Sequence, residues 1–158
     1  MHATTSDDRC LIHRGTRVRK MHSSRRDAFR SIGIPPLGSI EYPSLELRLS
    51  GHALRRRMDE PRLVNGIEER CGLLIFHPGM GLPALEIFRG YRGLVIAGTG
   101  LGHVSSGLVP AVRDLIDEGT FVVMTTQCLH GRVCDRVYDT GRDLIRAGVI
   151  EGEDMLPE

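Results

Sequence analysis

Three short apolar runs separated by helix-like segments constrain this chain more than any other feature. They are Leu73-Leu74-Ile75-Phe76, Leu94-Val95-Ile96-Ala97 and Phe121-Val122-Val123-Met124. Each is continuous where a half-exposed strand would alternate, as expected of a strand covered on both faces. A short helix is predicted between the first two, over residues 83–89. Between the second and third, Leu108, Val109, Val112, Leu115 and Ile116 recur at the spacing of one helical face. That helix starts near Ser105 or Ser106, and Gly119 closes it. The order β-α-β-α-β predicts an α/β fold, a parallel sheet with helices on both faces. After Gly131 the pattern weakens, and Leu144-Ile145 fit either a helix or a strand.

The front of the chain follows other rules. Residues 9–13 and 16–20 read as two short extended segments around Gly15, and Lys20 ends the second. A helix is expected next: Ser24 and Asp27 match the S-x-x-D capping pattern, Ala28 and Phe29 supply apolar contacts, and Pro35-Pro36 prevents continuation. Runs 38–42 and 44–49 flank Pro43, and Leu45, Leu47 and Leu49 alternate with Glu46 and Arg48. That pattern predicts a half-buried strand in a hairpin. Residues 50–66 hold Arg55-Arg56-Arg57, Asp59-Glu60-Pro61 and Asn65-Gly66 with little periodicity, so a domain boundary is expected there, between 1–60 and 61–158. No internal repeat or low-complexity tract is present.

Composition narrows the function classes. With 41% hydrophobic residues, 26% charged and a net charge of +1, the chain is neither disordered nor a basic nucleic-acid module. No apolar run approaches the roughly 20 residues that span a bilayer, and the N-terminus lacks the order of a signal peptide. A cytoplasmic location without membrane contact is expected. Cys10, Cys71, Cys128 and Cys134 form no CxxC pair and read as reduced structural thiols. The seven histidines form no HxH or HxxxH array, so no metal is expected. A basic cluster of Arg14, Arg17, Arg19, Lys20, Arg25, Arg26 and Arg30 raises the question of RNA, but no aromatic platform accompanies it. A solvated face or a subunit contact is the preferred reading.

Of 21 basic residues, only Lys20 is a lysine. A lysine can be tuned towards neutrality to carry a proton, whereas an arginine keeps its charge. Lys20 is therefore a candidate catalytic residue, against the plainer explanation of a codon bias. Three loops also matter, because ligands collect at the carboxyl ends of parallel strands. They are His77-Pro78-Gly79-Met80-Gly81, Gly98-Thr99-Gly100-Leu101-Gly102-His103 and Thr125-Thr126-Gln127-Cys128. The glycine loop lacks the third glycine of a dinucleotide fingerprint and the lysine of a phosphate loop. Its glycines can be read simply as a tight turn. His103, just before a helix, is a candidate hydrogen-bond donor to substrate or a neighbouring subunit, or a structural group. Thr125, Thr126 and Gln127 either bind a polar ligand or cap the strand end.

Taken together, residues 18–29 (Val18-Arg19-Lys20-Met21-His22 to Phe29), Phe76-His77-Pro78-Gly79-Met80, the loop at 98–103 and Met124-Thr125-Thr126-Gln127-Cys128 resemble the bacterial-type L-asparaginase family. Within it, they are most similar to its archaeal amidotransferase branch, as is the ending from Ala147 to Glu158. The resemblance implies an N-terminal α/β domain with the active site, of which 1–60 would be the end. It also implies a smaller flavodoxin-like C-terminal domain that helps complete a neighbour's site, to which 61–158 would belong.

In that family a threonine in a T-G-G-T-like motif is the nucleophile, and a second threonine and an aspartate from a T-D-T-like motif handle protons with a lysine. Lys20 matches the lysine. Neither motif occurs in this sequence, so Thr4, Thr5, Thr16 and Thr125 are not promoted to nucleophile. The expectation is a chain that begins after both motifs, stops before the family's final helix and is inactive alone. In the intact protein, resemblance implies release of ammonia from glutamine or asparagine through an acyl-enzyme. It implies no cofactor in this chain, ATP and Mg used by a partner subunit, tRNA held mainly by that partner, and a homodimer core. A stand-alone L-asparaginase and a non-catalytic α/β binding module are the alternatives.

Overall fold

Alternating side chains on three neighbouring strands build the core of the second half. In the computed structural model, which describes residues 1–54 and 57–158, strands β6 (Cys71–Ile75), β7 (Gly93–Gly98) and β8 (Phe121–Thr126) pair in parallel in that order. A short β9 (Ile150–Glu151) joins β8, also in parallel. The register sets Leu94 beside Val122, and Ile96 between Leu74 and Met124. Residues two apart on a strand share a face, so these five point the same way, and all are buried. Helices α1 (Pro83–Glu86), α2 (Val109–Asp117) and α3 (Asp139–Ala147) deliver Leu85, Val112, Leu115 and Leu144 into the same cluster. Each such side chain stabilises the fold by about 1.5–3 kcal/mol through burial.

The parallel α/β sheet stands as read from the sequence, but the helices of this unit gather on one face. The other face carries Leu73, Ile75, Phe121 and Ile150, with Ile75 59% and Phe121 65% exposed. The three runs are therefore not covered on both sides among the described residues. A continuous apolar run reports that both sides of a strand are hydrophobic, and says nothing of what lies against them. The ambiguity at Leu144-Ile145 resolves as helix: Leu144 is wholly buried, Gly148 takes the left-handed conformation (φ 102°) that ends α3, and the chain returns as β9. A single 3-10 turn at Ser106–Leu108 precedes α2, and Pro110 occupies its first turn, where no amide is needed.

The first unit is built from short antiparallel pairs. β1 (Arg9–Ile12), β4 (Gly38–Glu41) and β5 (Leu47–Leu49) form one sheet in the order β1-β4-β5. β2 (Val18–Lys20) and β3 (Phe29–Ser31) form a separate hairpin in which Lys20 lies opposite Phe29. The 16–20 segment is thus shorter than expected as a strand, since Gly15–Arg17 is a 3-10 turn.

Two expectations are corrected here. No helix follows Ser24. The amides of Ser24 and Arg25 donate to His22 Nδ1 at 3.2 Å each, and the buried Asp27 carboxylate accepts from Arg25 and Arg30 at 2.7–2.8 Å. Asp27 therefore ties the turn to the returning strand instead of serving a helix start. The hairpin over 38–49 forms, but its second strand is not half-buried: Leu47 and Leu49 are 54% and 63% exposed, and Leu45, with φ 57°, lies in the turn. Residues 50–66 contain no strand or helix among those described, while Arg55 and Arg56 of the arginine run lie outside the described residues. The two compact units divide between Val64 and Asn65.

Leu94→Ala should cost roughly 2–5 kcal/mol of stability, whereas Leu73→Ala on the open face should cost under about 1; urea unfolding of the two variants measures the difference. The guanidinium groups of Arg25 and Arg30 hold the Asp27 carboxyl down to about 2. A depressed carboxyl stabilises the fold above its ordinary range and loses that contribution as pH falls through the folded value. Amide protection across the β2–β3 hairpin should therefore persist from neutral pH to about 4 and decline towards 2, and Asp27→Asn should lower it at neutral pH.

Candidate functional site at the strand ends

Parallel pairing in register brings the carboxyl ends of β6, β7 and β8 to one edge, because Ala97 pairs with Ile75 and Thr125 while Gly98 pairs with Thr126. The three loops singled out in the sequence therefore leave from the same edge. The glycine loop closes on itself: the Thr99 amide donates to the His103 carbonyl at 2.9 Å, and the amides of Gly102 and His103 donate back to the Thr99 carbonyl at 3.0 and 2.9 Å. Gly102 has φ 108°, and a Cβ on Gly98 would sit 2.7–2.9 Å from the backbone of Gly102 and His103. Only glycine permits both the turn and that approach.

Side chains from β8 complete the edge. Thr126 Oγ1 donates to the Gly100 carbonyl at 2.5 Å and accepts from the Cys128 amide at 3.1 Å. Gln127 Nε2 donates to the carbonyls of Phe76 and Ala97 at 2.6 and 2.9 Å, stitching the ends of β6 and β7. Thr125 Oγ1 donates to the Ile96 carbonyl at 3.3 Å. Of the two readings of these residues, strand-end capping is the one that forms. Their donors serve the backbone, where buried carbonyls require partners.

His103 faces inward more than the sequence suggests. Its ring packs edge-on against Tyr138, centroids 4.9 Å apart and planes at 78°, and its Nε2 is buried without a partner among the described residues. His77 stands exposed at the first loop. Lys20 belongs to the other unit, at the exposed end of β2, and its side chain has no hydrogen bond or ion pair among the described residues. No trio of histidine, cysteine or acidic side chains that could hold a metal ion occurs among the described residues.

Two residues at this edge went unread in the sequence. Asp135 is completely buried, and Tyr138 covers His103. Both follow Gly131, in a stretch with no period to mark which side chain turns inward.

A family model described as "Glutaminase/Asparaginase C-terminal domain" matches residues 70–158, and one described as "Asparaginase, N-terminal" matches residues 1–51. The chain belongs to the asparaginase family. Among its relatives is a protein of Archaeoglobus fulgidus named as a subunit of glutamyl-tRNA(Gln) amidotransferase, 55% identical over 160 residues. A protein of the same name from Methanosarcina barkeri is 52% identical. Each alignment takes in 100% of this chain and 38% of the relative, so the chain spans well under half of the curated relatives it matches. Solved L-asparaginases share the fold. That of Thermococcus kodakarensis superimposes with a TM-score of 0.72 at 30% identity, covering 92% of this chain and 44% of that one. L-asparaginase I of Vibrio cholerae gives 0.75 at 30% identity, covering 92% and 45%. In this asparaginase-family chain, the glycine loop and the capped end of β8 lie within the match to the C-terminal domain, and Lys20 lies within the match to the N-terminal one.

Gly98→Ala should destabilise the second unit by about 1–3 kcal/mol, since the added methyl meets backbone and cannot be accommodated by a rotamer change. Gly107→Ala, where a Cβ meets nothing within 4 Å, should be close to neutral. Thermal melting of the two variants checks the contrast.

Proposed function

We propose that this chain supplies part of an amidohydrolase subunit that releases ammonia from glutamine for the conversion of glutamyl-tRNA(Gln) to glutaminyl-tRNA(Gln). The observation that carries this reading is the 55% identity, across the whole chain, to a protein named as a glutamyl-tRNA(Gln) amidotransferase subunit. Residues 1–60 would be the end of the family's N-terminal catalytic domain, and 61–158 would belong to its C-terminal α/β domain. A threonine hydroxyl would add to the side-chain amide carbon of glutamine, and collapse of that adduct would expel ammonia and leave an acyl ester, which water then cleaves to glutamate. Lys20 would relay the proton leaving the hydroxyl and returning to the departing nitrogen, the usual way of activating a weak nucleophile. Its place at the end of β2, inside the segment that matches the family's N-terminal domain, supports that role. His103 would contact substrate or the neighbouring subunit through the loop it closes.

On this reading no cofactor is held by the chain itself. A partner subunit would spend ATP, with Mg, on activating the glutamyl-tRNA and would make most of the tRNA contact, around a homodimeric core in the cytoplasm. No helix of the described residues is long and apolar enough to cross a membrane. The likeness to solved L-asparaginases favours a second reading, stand-alone hydrolysis of asparagine to aspartate.

The test grafts residues 1–158 in place of the matching segment of the Archaeoglobus fulgidus relative, assembled with its partner. Ammonia release from glutamine should appear in the presence of glutamyl-tRNA, and Lys20→Ala should lower kcat by about 10²–10⁴-fold. Lys20→Arg should not restore it, because a guanidinium does not release its proton. A folded graft in which Lys20→Ala leaves kcat unchanged would overturn the assignment of Lys20. Faster, tRNA-independent turnover of asparagine would favour the asparaginase. The isolated chain, which contains neither T-G-G-T nor T-D-T, should show no amide hydrolysis.

A further inference from the structure

Asp135 is an acid in a place built for a neutral group. Its side chain is fully buried, and neither carboxylate oxygen finds a hydrogen-bond partner among the described residues. The segment that carries it is fastened to the glycine loop, to β9 and to the chain just after it. The Cys134 amide donates to the Leu101 carbonyl at 2.9 Å, the Val133 amide to the Glu153 carbonyl at 2.8 Å, and the Asp135 amide to Glu151 Oε1 at 3.1 Å. Tyr138 closes over His103.

The packing around Asp135 is close on two sides. A Cβ on Gly102 would lie 2.9 Å from Val133 Cγ1 and 3.1 Å from Asp135 Oδ1, and one on Gly141 of α3 would collide with the Asp135 carbonyl oxygen. Asp135 is thus wedged between the glycine loop and the start of α3.

The surrounding charges offer an ionised Asp135 no compensation. From β9, Glu151 faces it with a like charge. Arg136, next in sequence, turns outward to Glu151 Oε2 at 3.4 Å, and Arg132 pairs with Glu153. From α3, Arg142 pairs with Asp139 and donates to the Arg136 carbonyl. His103 and Tyr138 pack edge to face against each other, and Cys134 is a free thiol. A buried charge without a partner is avoided by staying neutral.

We propose that Asp135 is a proton-controlled latch: while it holds its proton the segment 133–138 stays closed on the glycine loop, and loss of that proton loosens both. Burial first, and the Glu151 charge second, push the carboxyl up from 3.8 to about 7. When the segment opens, the carboxyl meets water and returns towards its ordinary value. Between those limits the closed form binds more protons than the open one, so closure weakens as pH rises across the window and is flat above about 7. The latch acts on the loop at the candidate site, but it stands on these contacts alone and does not depend on which amide is the substrate.

Hydrogen exchange on the 158-residue chain, corrected for intrinsic rates, tests it between about pH 4 and pH 9. Protection of the amides of Gly102, His103, Val133, Cys134 and Asp135 should fall by up to about tenfold per pH unit from about 4 to about 7 and then level off. In Asp135→Asn it should not vary with pH, while β7 amides stay protected in both proteins. A flat wild-type profile, or the same slope in Asp135→Asn, overturns the proposal. The carbon-13 shift of the Asp135 carboxyl in the unmutated chain decides the matter even if the variant does not fold. A midpoint near 7 supports the latch, and one at or below about 5 overturns it.

Discussion

The parallel register of β7 between β6 and β8 is the constraint from which the rest of the second unit follows. It lines up Leu74, Ile96 and Met124 on one face, where the three helices bury them. It also ends the three strands at one edge. The same hydrogen-bond ladder therefore creates the core and delivers the loops to a common place, so a change in register would move both together.

Once at that edge, the loops are held almost entirely by backbone groups and by the side chains that serve them. Gln127 reaches across two strands, Thr126 reaches the glycine loop, and the glycine loop bonds to itself. Polar residues at a strand end can be read as ligand-binding groups, yet unpaired carbonyls inside a protein make a prior claim on them. What remains uncommitted there among the described residues is small: the His103 ring nitrogen and the Asp135 carboxyl. The first belongs to a ring already packed, and the second to a group whose surroundings oppose charge.

In the first unit, charged and polar side chains fasten the turns between short strands. The turn between β2 and β3 is held by His22 accepting two amides and by Asp27 gripping two arginines. Arg26 pairs with Asp7 across a wider gap in sequence. Arg25, Arg26 and Arg30 of the basic cluster are thus engaged in ion pairs, while Lys20 stands exposed at the end of its strand without a partner among the described residues.

Periodicity and family blocks carried the three parallel strands β6, β7 and β8, the long helix, the hairpin over 38–49 and the asparaginase resemblance, since each depends on spacing or on order along the chain. The sequence alone thus determined the α/β class and singled out Lys20 and the glycine loop. It misread the capped helix at Ser24, because S-x-x-D is also what a turn looks like when the aspartate has two arginines to hold. It could not say that one face of the sheet stays open, nor that Asp135 lies inside, because neither is a property of neighbouring residues. Only the tertiary structure decided those points: burial is set by which distant segments arrive, and an acid between Cys134 and Arg136 reads as surface until the glycine loop and α3 close on it.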